Sequence, residues 1–205
     1  MKPPSRTLLP ALCALALLRV TDSTAQDVNI LEEGAFESSK GGEPTGFQWA
    51  GFAGDPSITP NRFELASDPG TPTGQYARIT VPNGTNKQIA TLKLREPILL
   101  PPEWIGLGIS VKLRIKDYQQ GAEPWHGVKV FARFKNLNNE AVGGDAAVIS
   151  VKESVAEWRD YANQVVVPTG ATQAVIEVGL WGSAGVLEID DLRVTPVRAP
   201  APSKP

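Results

Sequence analysis

The chain predicts an all-β fold, a two-sheet β-sandwich of jelly-roll type, on three observations. Apolar residues recur with period two in run after run. Ile109, Val111, Leu113 and Ile115, for example, alternate with Ser110, Lys112, Arg114 and Lys116. Such a run is a strand with one face buried and one face wet. The 205 residues also include 19 Gly and 18 Pro, which supply turns and disfavour a helical bundle. No window of about a dozen residues carries a helical period.

Composition narrows the function. Hydrophobic residues make up 41% of the chain and charged ones 20%, enough apolar surface for a core. The formal charge is −2 and no block of Lys and Arg occurs, which argues against nucleic acid or an anionic membrane surface as partner. One Cys and one His exclude a zinc site built from several such residues, and a disulfide framework.

Along the chain, residues 1–25 read as a secretory signal peptide. Lys2 and Arg6 precede an apolar stretch over 8–18, and Ser23-Thr24-Ala25 supplies small residues before a cut. The stretch is too short to span a bilayer, so the expected location is secreted or periplasmic, with no membrane span. The only cysteine, Cys13, leaves with the leader. Residues 27–197 form one β domain, and 198–205 a disordered Pro-rich tail.

Within the domain, 40–60 reads as a long loop carrying Phe47, Trp49 and Phe52. Strands are expected at 63–66, 76–81, 89–94, 109–115, 128–134, 147–151, 161–167, 176–181 and 186–194, with a short helical turn at 153–157. Turn clusters separate them at 67–74, Pro82-Asn83-Gly84, 136–140 and 168–171. Nine or ten short strands suit a sandwich.

Three segments then carry a resemblance. Residues 29–37 (NILEEGAFE), followed by 44–49 (PTGFQW), open the domain. Residues 158–170 (WRDYANQVVVPTG) and 185–194 (GVLEIDDLRV) close it. Together they resemble the carbohydrate-binding modules of families 4 and 9, within the wider galactose-binding-like jelly rolls. The resemblance implies a polysaccharide or oligosaccharide as partner. It also implies that the first and last strands lie together and share a structural calcium. Glu37 and Asp190 would then be its carboxylate ligands, with Asp191 as a further candidate, and Gly34 would turn the chain and offer its carbonyl. Oxygen donors of this kind suit calcium. The same carboxylates otherwise hydrogen-bond loop amides. Trp158 and Tyr161 match a structural strand of the family and are expected in the core, with Trp49 plugging an end of the sandwich.

A sugar site needs aromatic faces for the C–H face of the ring and polar groups for its hydroxyls. Trp181 lies in register with Glu177, opposite Ile176, Val178 and Leu180. Phe131 lies in register with Lys129 and Arg133. If these strands share a sheet, Phe131, Arg133, Glu177 and Trp181 form one surface, with Lys112 and Arg114 as further donors. The alternative is that a loop covers Trp181. Trp125 and His126 form either a rim contact or a loop anchor. His126 has no GxSxG nucleophile in the sequence to serve, so catalysis is not expected. The reading is an exported, non-catalytic carbohydrate-binding protein. The rival is a structural or protein-interaction sandwich of the cell surface or periplasm, partnered by other exported proteins.

Overall fold

The computed structural model describes residues 28–31, 34–52, 61–68, 74–82, 89–145 and 147–200. The leader, the Asn83-Gly84 turn and residues 201–205 lie outside this set. In chain order, β1 (Ser39–Lys40) and β2 (Glu43–Pro44) make a small hairpin. Then come β3 (Phe47–Phe52), β4 (Arg62–Ser67), β5 (Gln75–Val81), β6 (Ile89–Leu94), β7 (Ile98–Leu99), β8 (Trp104–Gln119) and β9 (Gly127–Lys135). The chain continues with β10 (Ala141–Val142), β11 (Ile149–Val151), β12 (Val155–Val166), β13 (Gln173–Trp181) and β14 (Ala184–Arg198). Among the described residues there is no helix, and so none long and apolar enough to cross a membrane.

Two antiparallel sheets hold the chain. One has seven strands, with β10, β9, β13, β6 and β3 in order, β11 also on β9 and β7 also on β13. The other has five, in the order β12-β8-β14-β5-β4. Their facing sides supply the core. Val128, Val130, Ala132 and Phe134 on β9 lie beside Ala174, Ile176, Val178 and Leu180 on β13, and Ala90 and Leu92 on β6 continue the layer. Leu107, Ile109, Val111, Leu113 and Ile115 on β8, with Ala77 and Ile79 on β5 and Leu187 and Ile189 on β14, form the opposing layer. Each such side chain stabilises the fold by about 1.5–3 kcal/mol for Val, Leu or Ile.

The structure corrects three expectations. The segment 40–60 is a loop only in part, because its first half forms the β1–β2 hairpin and β3. Phe47 and Trp49 pair with Leu94 and Leu92 of β6, so their side chains turn inward. Trp49 stacks on Phe63 of β4 at 5.7 Å, bridging the edge strands of the two sheets. The turn at 153–157 is not helical: β12 already starts at Val155, whose partner is Ile115. At the C-terminal end, β14 runs past Val197 to Arg198, paired with Trp104, and the Ala199 N–H donates to the Glu103 carbonyl.

The opening and closing segments lie together. The Ile30 N–H donates to the Val194 carbonyl at 2.9 Å, and the Leu192 N–H donates to the Gly34 carbonyl at 2.9 Å. Position 34 must be glycine, since a Cβ there would stand 1.8 Å from the Leu192 oxygen. A bulge between Asp190 and Arg193 resets the alternation of β14. It lets Leu187 and Ile189 before it, and Leu192 and Val194 after it, all reach the core.

Candidate functional site

Strand register places Phe131 opposite Glu177, Lys129 opposite Gly179 and Gly127 opposite Trp181, on the side of the seven-stranded sheet away from the core. Gly179 lies between the two rings in register, and a Cβ there would stand 2.1 Å from the Ala90 carbonyl oxygen of β6. Phe131 and Trp181 meet edge to face with centroids 4.9 Å apart. Both are covered, at 5% and 4% exposure, so the wet aromatic face expected from the sequence is instead a closed one. The Arg133 guanidinium lies over the Phe131 ring at 4.5 Å and the Lys129 ammonium at 5.5 Å. Arg133 Nε donates to Glu177 Oε2 at 2.8 Å, and its Nη1 pairs with Asp145 Oδ1 at 2.6 Å. Glu177 Oε1 accepts from the Thr91 hydroxyl at 2.9 Å.

The loop between β8 and β9 completes this surface. Lys129 Nζ sits 5.8 Å from the Trp125 ring, so one ammonium lies between Trp125 and Phe131. Trp125 is 49% exposed and stands edge-on to His126 at 4.3 Å. The pair therefore divides the two roles open to it: Trp125 is the open ring and His126 the anchor. His126 is fully buried. Its Nδ1 accepts the Glu123 N–H at 3.2 Å, which puts the ring proton of the neutral form on Nε2, a buried atom with no partner. Burial pushes His126 below the usual histidine range. The Glu123 charge opposes this shift and Lys129 adds to it. Gly182, at φ 60°, leaves room for the imidazole, since a Cβ there would lie 2.4 Å from it. Gln120 Nε2 bonds the carbonyls of Glu123 and His126, and Lys152 Nζ bonds that of Pro124. The Trp125 loop is thus held from three sides.

The structure brings all six residues named from the sequence for a ligand into one chain of contacts. Lys129, Asp145, Thr91 and Lys152 complete it. Lys129 is legible as the residue in register with Phe131, whereas nothing in the sequence separates Asp145 and Lys152, on loops, or the buried Thr91 from other polar residues. Lys112 and Arg114 do not belong to this surface. They lie on β8, in the other sheet.

The outward side of the five-stranded sheet carries a second cluster. Arg114, Glu188, Arg78 and Glu64 follow one another across β8, β14, β5 and β4. Glu188 is fully buried and takes ion pairs from Arg114, Arg78 and Lys116. Burial alone would raise its pKa, but the hydrogen bonds from Arg114 and Arg78 outweigh this and hold it below the usual carboxylate range. Tyr76 meets Trp158 at 5.4 Å, and Arg114 lies over Trp158 at 4.7 Å. Trp158 therefore belongs to this outward cluster rather than to the core expected for it, because it lies three residues from both Val155 and Tyr161, which pair with inward Ile115 and Val111, and so faces the other way. Tyr161, opposite Val111, packs on the core as expected. Along the same side, a groove of about 460 Å³ runs past Gly108, Ser110, Ala162, Gln164 and Thr195. An apolar cavity of about 480 Å³ at the sheet ends is lined by Phe47, Leu94, Leu99 and Trp104.

Gly34 lies at the junction of the opening segment with β14, and Asp190 at the start of the bulge there. Glu37 Oε1 accepts the Gln75 N–H at 3.2 Å, and Asp190, fully buried, accepts the Asp191 N–H at 2.7 Å. Among the described residues no group of three or more His, Cys, Asp and Glu gathers.

No protein-family profile and no curated protein matches the sequence. Solved structures do match its fold. The enzymatically active domain of tailspike protein 4 from bacteriophage CBA120 aligns with a TM-score of 0.59 at 14% identity, over 82% of this chain and 21% of that one. This chain thus spans about a fifth of that domain. The CBM22-1 xylan-binding domain of Xyn10C from Paenibacillus barcinonensis aligns at 0.51 and 13%, over 82% of this chain and 94% of the module. A CBM4 module aligns at 0.52 and 17%, over 80% and 97%. The chain has the jelly-roll sandwich fold of such carbohydrate-binding modules.

Proposed function

We propose that the protein is exported and binds a polysaccharide or oligosaccharide, without cleaving it, on the outward side of the seven-stranded sheet. The observation that carries this reading is the half-exposed Trp125 ring standing beside groups already fixed in place. Arg133 is held by Glu177, Asp145 and the Phe131 face, and Lys129 by two rings. A pyranose laid on Trp125 would meet donors whose side-chain entropy is already lost on folding, which lowers the cost of binding. Phe131 and Trp181 form the floor under those donors. The fold supports the reading, since modules named for carbohydrate binding share it.

The test is tryptophan fluorescence and affinity electrophoresis against soluble glycans, with calcium and with chelator. Trp125→Ala is expected to abolish a saturable shift while leaving the melting temperature nearly unchanged. Released reducing ends are expected to stay at background. Retention of full binding by the variant would contradict the assignment of the face.

A second reading is favoured by the groove along β8 and β12, which gives an extended chain a place to lie. Gln164→Ala would then be the damaging variant. If no glycan binds, the structural or protein-interaction sandwich takes precedence. Calcium remains part of the proposal. Glu37 and Asp190 would supply carboxylate oxygens and Gly34 its carbonyl, a hard-oxygen donor set suited to a structural ion. A fall in melting temperature with chelator would support it.

A further inference from the structure

Arg133 engages two carboxylates of the seven-stranded face, Glu177 and Asp145, and the second oxygen of Glu177 is bonded to Thr91. The lysines around them are left over. Lys93 stands directly opposite Glu177 in register, yet forms no ion pair. Neither does Lys129 or Lys152, among the described residues. Lys129 is held over two rings, and Lys152 only by the Pro124 carbonyl. The chain as a whole is negative, at −2, so this concentration of cations runs against its overall charge. On the opposite sheet each arginine of the Glu188 row finds a carboxylate.

We propose that the glycan bound on this face is acidic, its carboxylate or sulfate-ester groups pairing with Lys129 and Lys152 while Trp125 takes a sugar ring. This rests on the glycan-binding reading above and names the class of glycan. Lys129 stands opposite Ser150 in register, two residues before Lys152, so the two lysines share one edge of the sheet. Burial first, and then the Lys152 charge, lower the pKa of Lys129, and an anion between them would relieve that repulsion. The cation lying over the aromatic rings keeps that charge at the edge of the Trp125 stacking surface. A neutral glycan would leave both ammoniums unmatched.

The experiment uses matched pairs that differ in charge on one backbone. Polygalacturonate is compared with its methyl ester, and dextran sulfate with dextran, by affinity electrophoresis and titration calorimetry. A single-stranded oligonucleotide serves as a control polyanion. The expected result is binding of an acidic member at least about tenfold tighter than its neutral partner, weakened by salt. The two pairs separate a carboxylate source from a sulfate source. Lys129→Gln with Lys152→Gln is expected to weaken acid binding about tenfold, and Lys129→Arg to restore most of it in the Lys152 background. Melting temperatures verify that the variants fold. Equal binding of acid and neutral ester would overturn the proposal and leave the glycan-binding reading standing. Unchanged binding by the double variant would also overturn it, as would equal affinity for the oligonucleotide. Binding to none of the glycans would remove both readings.

Discussion

The two outward sides of this sandwich are built from the same parts and end in different states. Each has a pair of aromatic rings in contact, arginines lying over a ring, and a carboxylate between strands. On the five-stranded sheet, register sets Arg114, Glu188, Arg78 and Glu64 in one alternating row, so charge is matched within the protein. On the seven-stranded sheet, register sets Lys129 opposite Gly179, and Arg133 takes Glu177 and Asp145. One side is neutralised internally and carries a groove. The other keeps ammoniums without a carboxylate partner among the described residues, and an open Trp125. Cross-strand register, more than composition, decides which side has binding capacity to spare.

The largest test of that contrast is removal of a floor ring. Trp181→Ala is expected to cost about 3–5 kcal/mol in chemical denaturation, the range for a buried aromatic truncated to Ala. A cost under about 1 kcal/mol would mean that the ring is not the buried floor described here. Glu188→Ala is expected to follow at about 3 kcal/mol, because it strands Arg114 and Arg78 in a part-buried setting. The figure sits at the low end of the range, since Arg78 and Lys116 keep part of their solvation.

Acid should separate the two sides by the pH at which each fails. His126 sits below its ordinary pKa when folded, so the unfolded chain binds its proton first. Its contribution is therefore complete above about pH 6.5 and is lost as pH falls below that value. Glu188 is also depressed when folded, so its contribution is complete above the ordinary Glu value of about 4.3 and is lost as pH falls through the folded value. Thermal melts of wild type are expected to show two steps. His126→Gln should remove the upper one and Glu188→Gln the lower. A single step insensitive to His126→Gln would show that the imidazole does not tie the Trp125 loop.

The smallest stability effect belongs to the residue with the largest functional one. Trp125→Ala should change stability by about 0.5 kcal/mol or less, because half the ring is already in water. A larger loss would make Trp125 a loop anchor rather than a contact surface.

These contrasts also mark what the sequence can tell. Alternation in β6, β8, β9 and β13 identifies each strand and its inward face, because burial of one face leaves a period-two trace. It places Phe131 with Lys129 and Arg133, and Trp181 with Glu177. It does not pair strands, and so it leaves open which sheet holds Lys112 and Arg114, which lie opposite the sheet of Phe131. The β3 strand is hidden because Gly51 and Ala50 dilute its pattern, and it becomes visible only as the partner of β6. The contact of Phe131 with Trp181 depends on the pairing of β9 with β13, a relation that no single run contains. The buried state of His126 depends on space left by Gly182, far along the chain. The resemblance correctly brought the opening segment to β14, where backbone hydrogen bonds join Ile30, Gly34, Leu192 and Val194.

The five tryptophans stand at separate places: Trp49 between the edge strands, Trp104 at the end cavity, Trp158 on the five-stranded side, and Trp125 and Trp181 on the seven-stranded side. Their indole N–H signals in a nitrogen-15 NMR titration with a bound glycan therefore report the binding face directly. The account predicts that Trp125 shifts most, Trp181 less, and Trp158 and Trp104 not at all. A shift led by Trp158 with Trp125 unmoved would contradict it and place the glycan on the opposite sheet.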